Sequence, residues 1–79
     1  MINLRDEIYI KEFGIHLRKI RNSKGLSQEA LANASEVSLA QITRIERGVV
    51  NATLCTIKSL AKGLEIETKE LFEFELKNS

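Results

Sequence analysis

The sequence predicts an all-α fold, one domain of five helices. Three observations carry this. The 79 residues include no proline and only four glycines, so the residues that break helices are scarce. The bulk is Leu, Ile, Ala, Glu, Lys and Arg; apart from β-branched Ile, which is neutral, these favour helices. Apolar residues recur every three or four positions, the period of one helical face.

Each element follows from its own residues. The first helix is expected from about Asp6 to Lys24, with Tyr9, Phe13, Leu17 and Ile20 on one face and Ile10 beside them. Gly14 weakens its middle by ~1 kcal/mol relative to alanine. Gly25 then stops it, and Lys24 complements the negative end of the helix dipole. The second helix opens at Ser27, a favoured N-cap, carries Glu29 in its first turn and runs through Ala34. Leu31 and Ala34 are expected to face inward, and Ala32 is small enough for a close crossing. A short turn, Ser35-Glu36-Val37, separates it from a third helix that opens at Ser38. Gln41 stands three residues on, as in a capping box. Ile42, Ile45 and Glu46 share one side of this helix; Ala40, Thr43, Arg44 and Arg47 share the other. Gly48 ends it as a left-handed cap. A loop from Val49 to Ala52 leads to Thr53, the N-cap of a fourth helix whose apolar stripe is Leu54, Ile57, Leu60, Ala61 and Leu64. Gly63 lies near its end. Glu65 to Glu67 form a link to a short fifth helix from about Thr68, carrying Leu71, Phe72, Phe74 and Leu76.

Composition narrows the function. The length fits a single domain, residues 1–79, of marginal stability alone. No run approaches the ~18 apolar residues of a membrane span, and no secretory leader is recognisable, so a cytoplasmic protein is expected. The single Cys55 fits a reducing compartment. It lies far in sequence from the lone His16, with no third member for a nucleophilic site. The acidic residues are scattered rather than clustered as metal ligands, and no phosphate-binding glycine loop occurs. An enzyme is therefore not expected, nor a cofactor or metal. Twelve basic and eleven acidic residues leave the chain nearly neutral, which by itself does not announce nucleic-acid binding. Their distribution says more: residues 1–48 hold eight Lys/Arg, including every arginine, against six Asp/Glu, while residues 49–79 hold four Lys and five Glu.

Two short helices joined by a three-residue turn set the second at a steep angle to the first. In DNA-binding proteins that second helix enters the major groove. The segment from 38 to 47 has the build for it. Its isoleucines anchor one side. The other side offers Arg44 and Arg47 for guanine edges or phosphates, Gln41 and Thr43 for hydrogen bonds, and Ala40 for close approach, with Leu39 at the tip. A solvated polar face would carry a similar set.

The stretch KIRNSKGLSQEALANASEVSLAQITRIERG (Lys19 to Gly48), followed by NATLCTIKSLAKGLEI (Asn51 to Ile66), resembles the Cro/repressor-type, or XRE-family, helix-turn-helix domain. The likeness covers about residues 13–72, with helix two at about 28–34 and the recognition helix at about 38–47. Its marks are Arg21, Gly25-Leu26-Ser27-Gln28, Leu31-Ala32, Val37-Ser38, Ile42, Ile45-Glu46 and Gly48. The resemblance implies a lambda-repressor-like fold that binds double-stranded DNA. It implies that Gln28 meets a phosphate, that Ser38, Leu39, Ala40, Gln41, Thr43 and Arg44 meet base edges or the flanking backbone, and that Arg47 and the amides near Asn51 hold phosphates. Arg21 and Glu46 resemble a pair that ties helix one to helix three. The family often has glycine where Glu36 stands and proline where Ala52 stands.

The expected function is a transcriptional regulator acting as a homodimer on a partly palindromic operator, restriction–modification controllers being one subtype. The alternative is an antitoxin or interaction module that holds a protein partner through its C-terminal tail. Leu71 and Phe72 are read first as closing the core of their own subunit, and Phe74 and Leu76 as a dimer contact. All four are candidates for that contact, and Ile2, Leu4 and Ile8 are candidates to join it.

Overall fold

The computed structural model of the protein describes residues 5–76. Its elements are α1 (Glu7–Ser23), α2 (Gln28–Ser35), α3 (Leu39–Arg47), α4 (Leu54–Leu64) and a 3-10 helix (Thr68–Phe72). No strand forms among the described residues. The fifth element is thus a tight 3-10 piece, and such pieces stay short because side chains three apart eclipse.

Side-chain caps start every α-helix. Asp6 accepts from the amide of Tyr9, Ser27 from Ala30, Ser38 from Gln41 and Thr53 from Thr56. Each satisfies one of the amides that a helix start leaves without a partner, and each contributes ~1 kcal/mol. At the far end of α1, Gly25 has φ 72°, the Gly25 amide donates to the Asn22 carbonyl and the Leu26 amide to that of Arg21. These two bonds are the Schellman closure that glycine at this position permits.

The helices pack in crossed pairs, α1 on α3 and α2 on α4, around Leu17, Leu31, Ile42, Ile45, Leu60, Leu64 and Leu71, all fully buried. Two glycines set how closely the pairs approach. A Cβ at Gly14 would collide with the Ile45 carbonyl oxygen and stand 3.0 Å from that of Glu46. A Cβ at Gly63 would lie 2.7 Å from Cβ and 2.9 Å from Cα of Ser35. Gly14 is therefore a packing glycine, and the local helix cost read from sequence is offset by the contact that it opens. Gly63 does not end α4; Glu65 does, at φ 58°.

Four expectations change. In α2 the inward residue beside Leu31 is Ser35, not Ala34, which is exposed. Ser35 lies one turn beyond Leu31, against Gly63, and its hydroxyl donates to the Leu31 carbonyl at 2.7 Å. In α4 the apolar stripe begins at Ile57; Leu54 projects beyond the body and is 84% exposed. Leu71 is fully enclosed in its own subunit's core and has no surface to give a partner. Phe74 is half-buried in a cluster with Tyr9, Phe13 and His16, at ring distances of 5.1, 6.4 and 5.4 Å. His16 Nε2 lies 2.8 Å from the Glu70 carbonyl oxygen. The segment that follows Leu71 is thereby fastened along α1, which uses Phe74 internally. Of the N-terminal candidates, Ile8 is exposed, while Ile2 and Leu4 lie outside the described residues.

Gly14→Ala separates the two readings of that glycine. Helix propensity alone would make the variant more stable by ~1 kcal/mol. The crossing makes it less stable by ~1–3 kcal/mol through overpacking. Urea unfolding followed by circular dichroism gives the sign.

Candidate nucleic-acid interface

The α2–turn–α3 unit begins with a backbone constraint. Glu36 caps α2 in the left-handed conformation, φ 60° and ψ 28°. A side chain there costs ~1 kcal/mol or more, which is why glycine suits the position. Val37 is half-buried against the core, and its amide donates to Ser35 Oγ at 3.3 Å. The turn is thus held by its neighbours despite its own strain. Ser38 then caps α3; its hydroxyl accepts from the Gln41 amide at 3.1 Å, the first half of the expected capping box.

Two opposite flanks define α3. Ile42 and Ile45 are buried in the core, and Glu46 on the same side is buried too. Ala40, Arg44 and Arg47 are exposed, as are Ser38 and Leu39; Gln41 and Thr43 are half-buried. Neither Ala40 nor Arg44 is covered by the protein's own chain. Gly48 ends α3 at φ 74°, and a Cβ there would meet Lys11 Cα at 2.8 Å. This contact seats α1 beside the end of α3, where Lys11 and Arg47 line one surface hollow with Glu7, Ile8 and Val49. Lys11 is a cation beside the exposed flank of α3 that sequence reading missed, since nothing local links residues 36 apart.

Glu46 is tolerated inside because Arg21 meets it. Arg21 Nε donates to Oε2 at 2.6 Å and Nη2 to Oε1 at 3.0 Å, with side-chain exposures of only 8% and 3%. Arg21 Nη1 also donates to the Leu26 carbonyl at 2.8 Å. The hydrogen bonds to Glu46 raise the Arg21 pKa above its ordinary value; burial opposes this and the carboxylate's charge adds to it. A raised basic pKa means that the stabilisation is complete below the ordinary value and lost only above the raised one. Arg21 therefore stays charged throughout the neutral and acid range.

Gln28 is the site residue whose surroundings differ most from expectation. Its side chain is half-buried between helices. Nε2 donates to Glu46 Oε1 at 2.9 Å, and Oε1 accepts from Thr43 Oγ1 at 3.3 Å. One of its two side-chain protons is committed to Glu46, which leaves the other available. The structure thus joins Arg21, Glu46, Gln28 and Thr43 in one chain of hydrogen bonds. The family resemblance implied the first two as a pair and the other two as separate contacts. Asn51 stands apart, exposed on the α3–α4 loop at the edge of an apolar hollow lined by Tyr9, Phe13, Val50, Ile57 and Phe72. Cys55 is exposed at the start of α4. Among the described residues no helix is long and apolar enough to cross a membrane.

Comparison with known proteins points the same way. A family described as helix-turn-helix matches residues 17–71. The control protein C.BamHI of Bacillus amyloliquefaciens is 40% identical over 63 residues, 78% of each chain. The transcriptional regulator SlrR of Bacillus subtilis is 40% identical over 60 residues, which span 75% of this chain and 40% of that protein. The crystal structure of the restriction-modification controller protein C.AhdI from Aeromonas hydrophila superposes with a TM-score of 0.78 at 44% identity, over 80% of this chain and 96% of that one.

Glu46→Ala strands a buried guanidinium and should destabilise the fold by ~3–5 kcal/mol, whereas replacing Arg21 and Glu46 together with apolar residues of similar volume should cost far less. Urea midpoints of the single and double variants check the difference.

Proposed function

The chain belongs to the helix-turn-helix family, and from that premise we propose that it is a sequence-specific regulator of transcription that binds double-stranded DNA, of the restriction–modification controller type. One observation carries the reading: α3 is fixed by its buried side while Ala40, Arg44 and Arg47 stand clear on the other. An α-helix fits the major groove, and arginine can pair two donors with guanine. In this reading Arg44 meets a base edge. Ser38, Leu39, Ala40 and Gln41 lie at the entry of the groove, where Leu39 or Ala40 touches a thymine methyl. The free amides at the start of α2, the remaining proton of Gln28, Arg47, Lys11 and Asn51 hold phosphates and set register. A cytoplasmic location goes with this role, and no catalytic step is part of it.

The protein acts as a homodimer. A single small module reads few bases, and two modules related by a twofold axis read half-sites about 34 Å apart. The surface that supports a second copy is the apolar edge around the hollow beside the α3–α4 loop, where Tyr9 and Phe72 are 37% and 38% exposed. Leu54 projects one turn before Ile57, which lines that hollow. Of the residues first considered for a dimer contact, Phe72 fits this surface, and Leu76 belongs to the same C-terminal segment.

Selection from a random duplex pool should return a partly palindromic sequence; a pool without any enriched sequence overturns the reading. Arg44→Ala should then cost ~1–3 kcal/mol on the selected duplex and little on random DNA. Equal losses on both would make Arg44 a phosphate contact. Leu54→Glu should shift the sedimentation coefficient towards the monomer while leaving the helical spectrum unchanged.

A further inference from the structure

The hydrogen bonds that cross from α1 to α3 have only one possible direction. An arginine side chain carries donors alone, and a carboxylate carries acceptors alone. Arg21 therefore donates to Glu46. Glu46 Oε1 accepts again, from Gln28 Nε2 at 2.9 Å. This fixes which way the Gln28 amide faces, because its carbonyl oxygen against the carboxylate would be repelled. The carbonyl must point to Thr43, 3.3 Å from Oγ1. A carbonyl only accepts, so the single proton of the Thr43 hydroxyl is committed inward. What this hydroxyl can offer to the outside is a lone pair.

We infer that Thr43 is a specificity-determining residue that reads a base as a hydrogen-bond acceptor, and so selects adenine or cytosine on the strand it faces. The inference rests on the proposed seating of α3 in the major groove. There, adenine presents its N6 amine and cytosine its N4 amine, whereas the edges of guanine and thymine present acceptors. An uncommitted hydroxyl rotates to suit either kind of partner; Thr43 has lost that choice to Gln28. Were Gln28 turned over, its amine would face Thr43, the threonine proton would be released, and the preference would reverse. Gln28 is thus a positioning residue: it sets the polarity of the reading group on α3 from its place on α2. The chain of bonds ends in a buried ion pair, so the setting is fixed before any duplex arrives.

Selection from a random duplex pool tests this with wild-type protein, Thr43→Val and Gln28→Ala. Thr43→Val keeps the shape without the hydroxyl, so the position where its preference changes is the base pair that Thr43 faces. At that position the wild type should select adenine or cytosine on one strand over guanine or thymine by roughly two- to tenfold, the worth of one hydrogen bond. Gln28→Ala should bring that ratio towards one and leave the pattern at other positions in place. A measurement that needs no Gln28 variant accompanies it: removing the exocyclic amine of the facing base, with purine for adenine or 2-pyrimidinone for cytosine, should weaken wild-type binding by the same factor and leave Thr43→Val binding unaltered. Wild-type binding that is unchanged when the exocyclic amine is removed overturns the inference. So does an unchanged ratio in a folded Gln28→Ala protein, or a Thr43→Val pattern equal to the wild type's. A pool that the wild type does not enrich overturns the DNA-binding reading itself, and this inference with it.

Discussion

The contact on which the rest of the structure depends is the near touch of two backbones where α1 crosses α3. Gly14 lets the carbonyls of Ile45 and Glu46 rest on α1 with no side chain between them. Two turns further along α1, this closeness brings Arg21 within 2.6 Å of Glu46. A wider crossing would stretch that bond and leave two desolvated charges, an expensive arrangement in a low-dielectric interior. Sterics and electrostatics are therefore coupled: the glycine makes the ion pair possible, and the ion pair fixes the roll of α3 about its own axis. Arg21 also holds the Leu26 carbonyl, so one guanidinium orders α1, the approach to α2 and α3 together.

Much of this was legible in the residues. Periodicity gave α1, α3 and α4, and Asp6, Ser27, Ser38 and Thr53 marked the starts of all four α-helices, because a cap needs only a short polar side chain next to an apolar repeat. The division of α3 into a buried and a free flank was equally plain from Ile42 and Ile45. What escaped depends on pairs distant in sequence. Ser35 rather than Ala34 faces inward because Gly63 lies opposite it. Leu54 looks like the start of a stripe, yet the body ends before reaching it. Phe74 reads as a surface anchor until Tyr9 and His16 are seen beside it. At the candidate site, the Arg21–Glu46 pair came from resemblance. The Gln28–Thr43 bond was invisible because fifteen residues and a turn separate its partners.

Charge shows the same separation of local from global. The nearly neutral chain gives no sign of a polyanionic partner, and a sum over residues treats every arginine alike. The fold does not. Arg21 is consumed in the interior and Arg5 is engaged with Glu7 and the Val49 carbonyl. Arg44 and Arg47 stand on the free flank of α3. Five glutamates belong to the C-terminal part of the chain, from Glu65 to Glu75, in segments other than the one that would meet DNA. A ligand approaching a surface responds to the local potential rather than to the net charge.

Both helices of the helix-turn-helix are clamped against a neighbour through a missing side chain, α2 onto α4 at Gly63 and α3 onto α1 at Gly14. Contacts of this kind leave no gap into which either helix can tilt. A head so stiff cannot mould itself to an imperfect target. On the proposed reading, the bending or twisting that brings two half-sites into register would fall to the nucleic acid, at an elastic cost that varies with base sequence. Base pairs that no side chain touches would thereby contribute to selectivity, through how readily they deform.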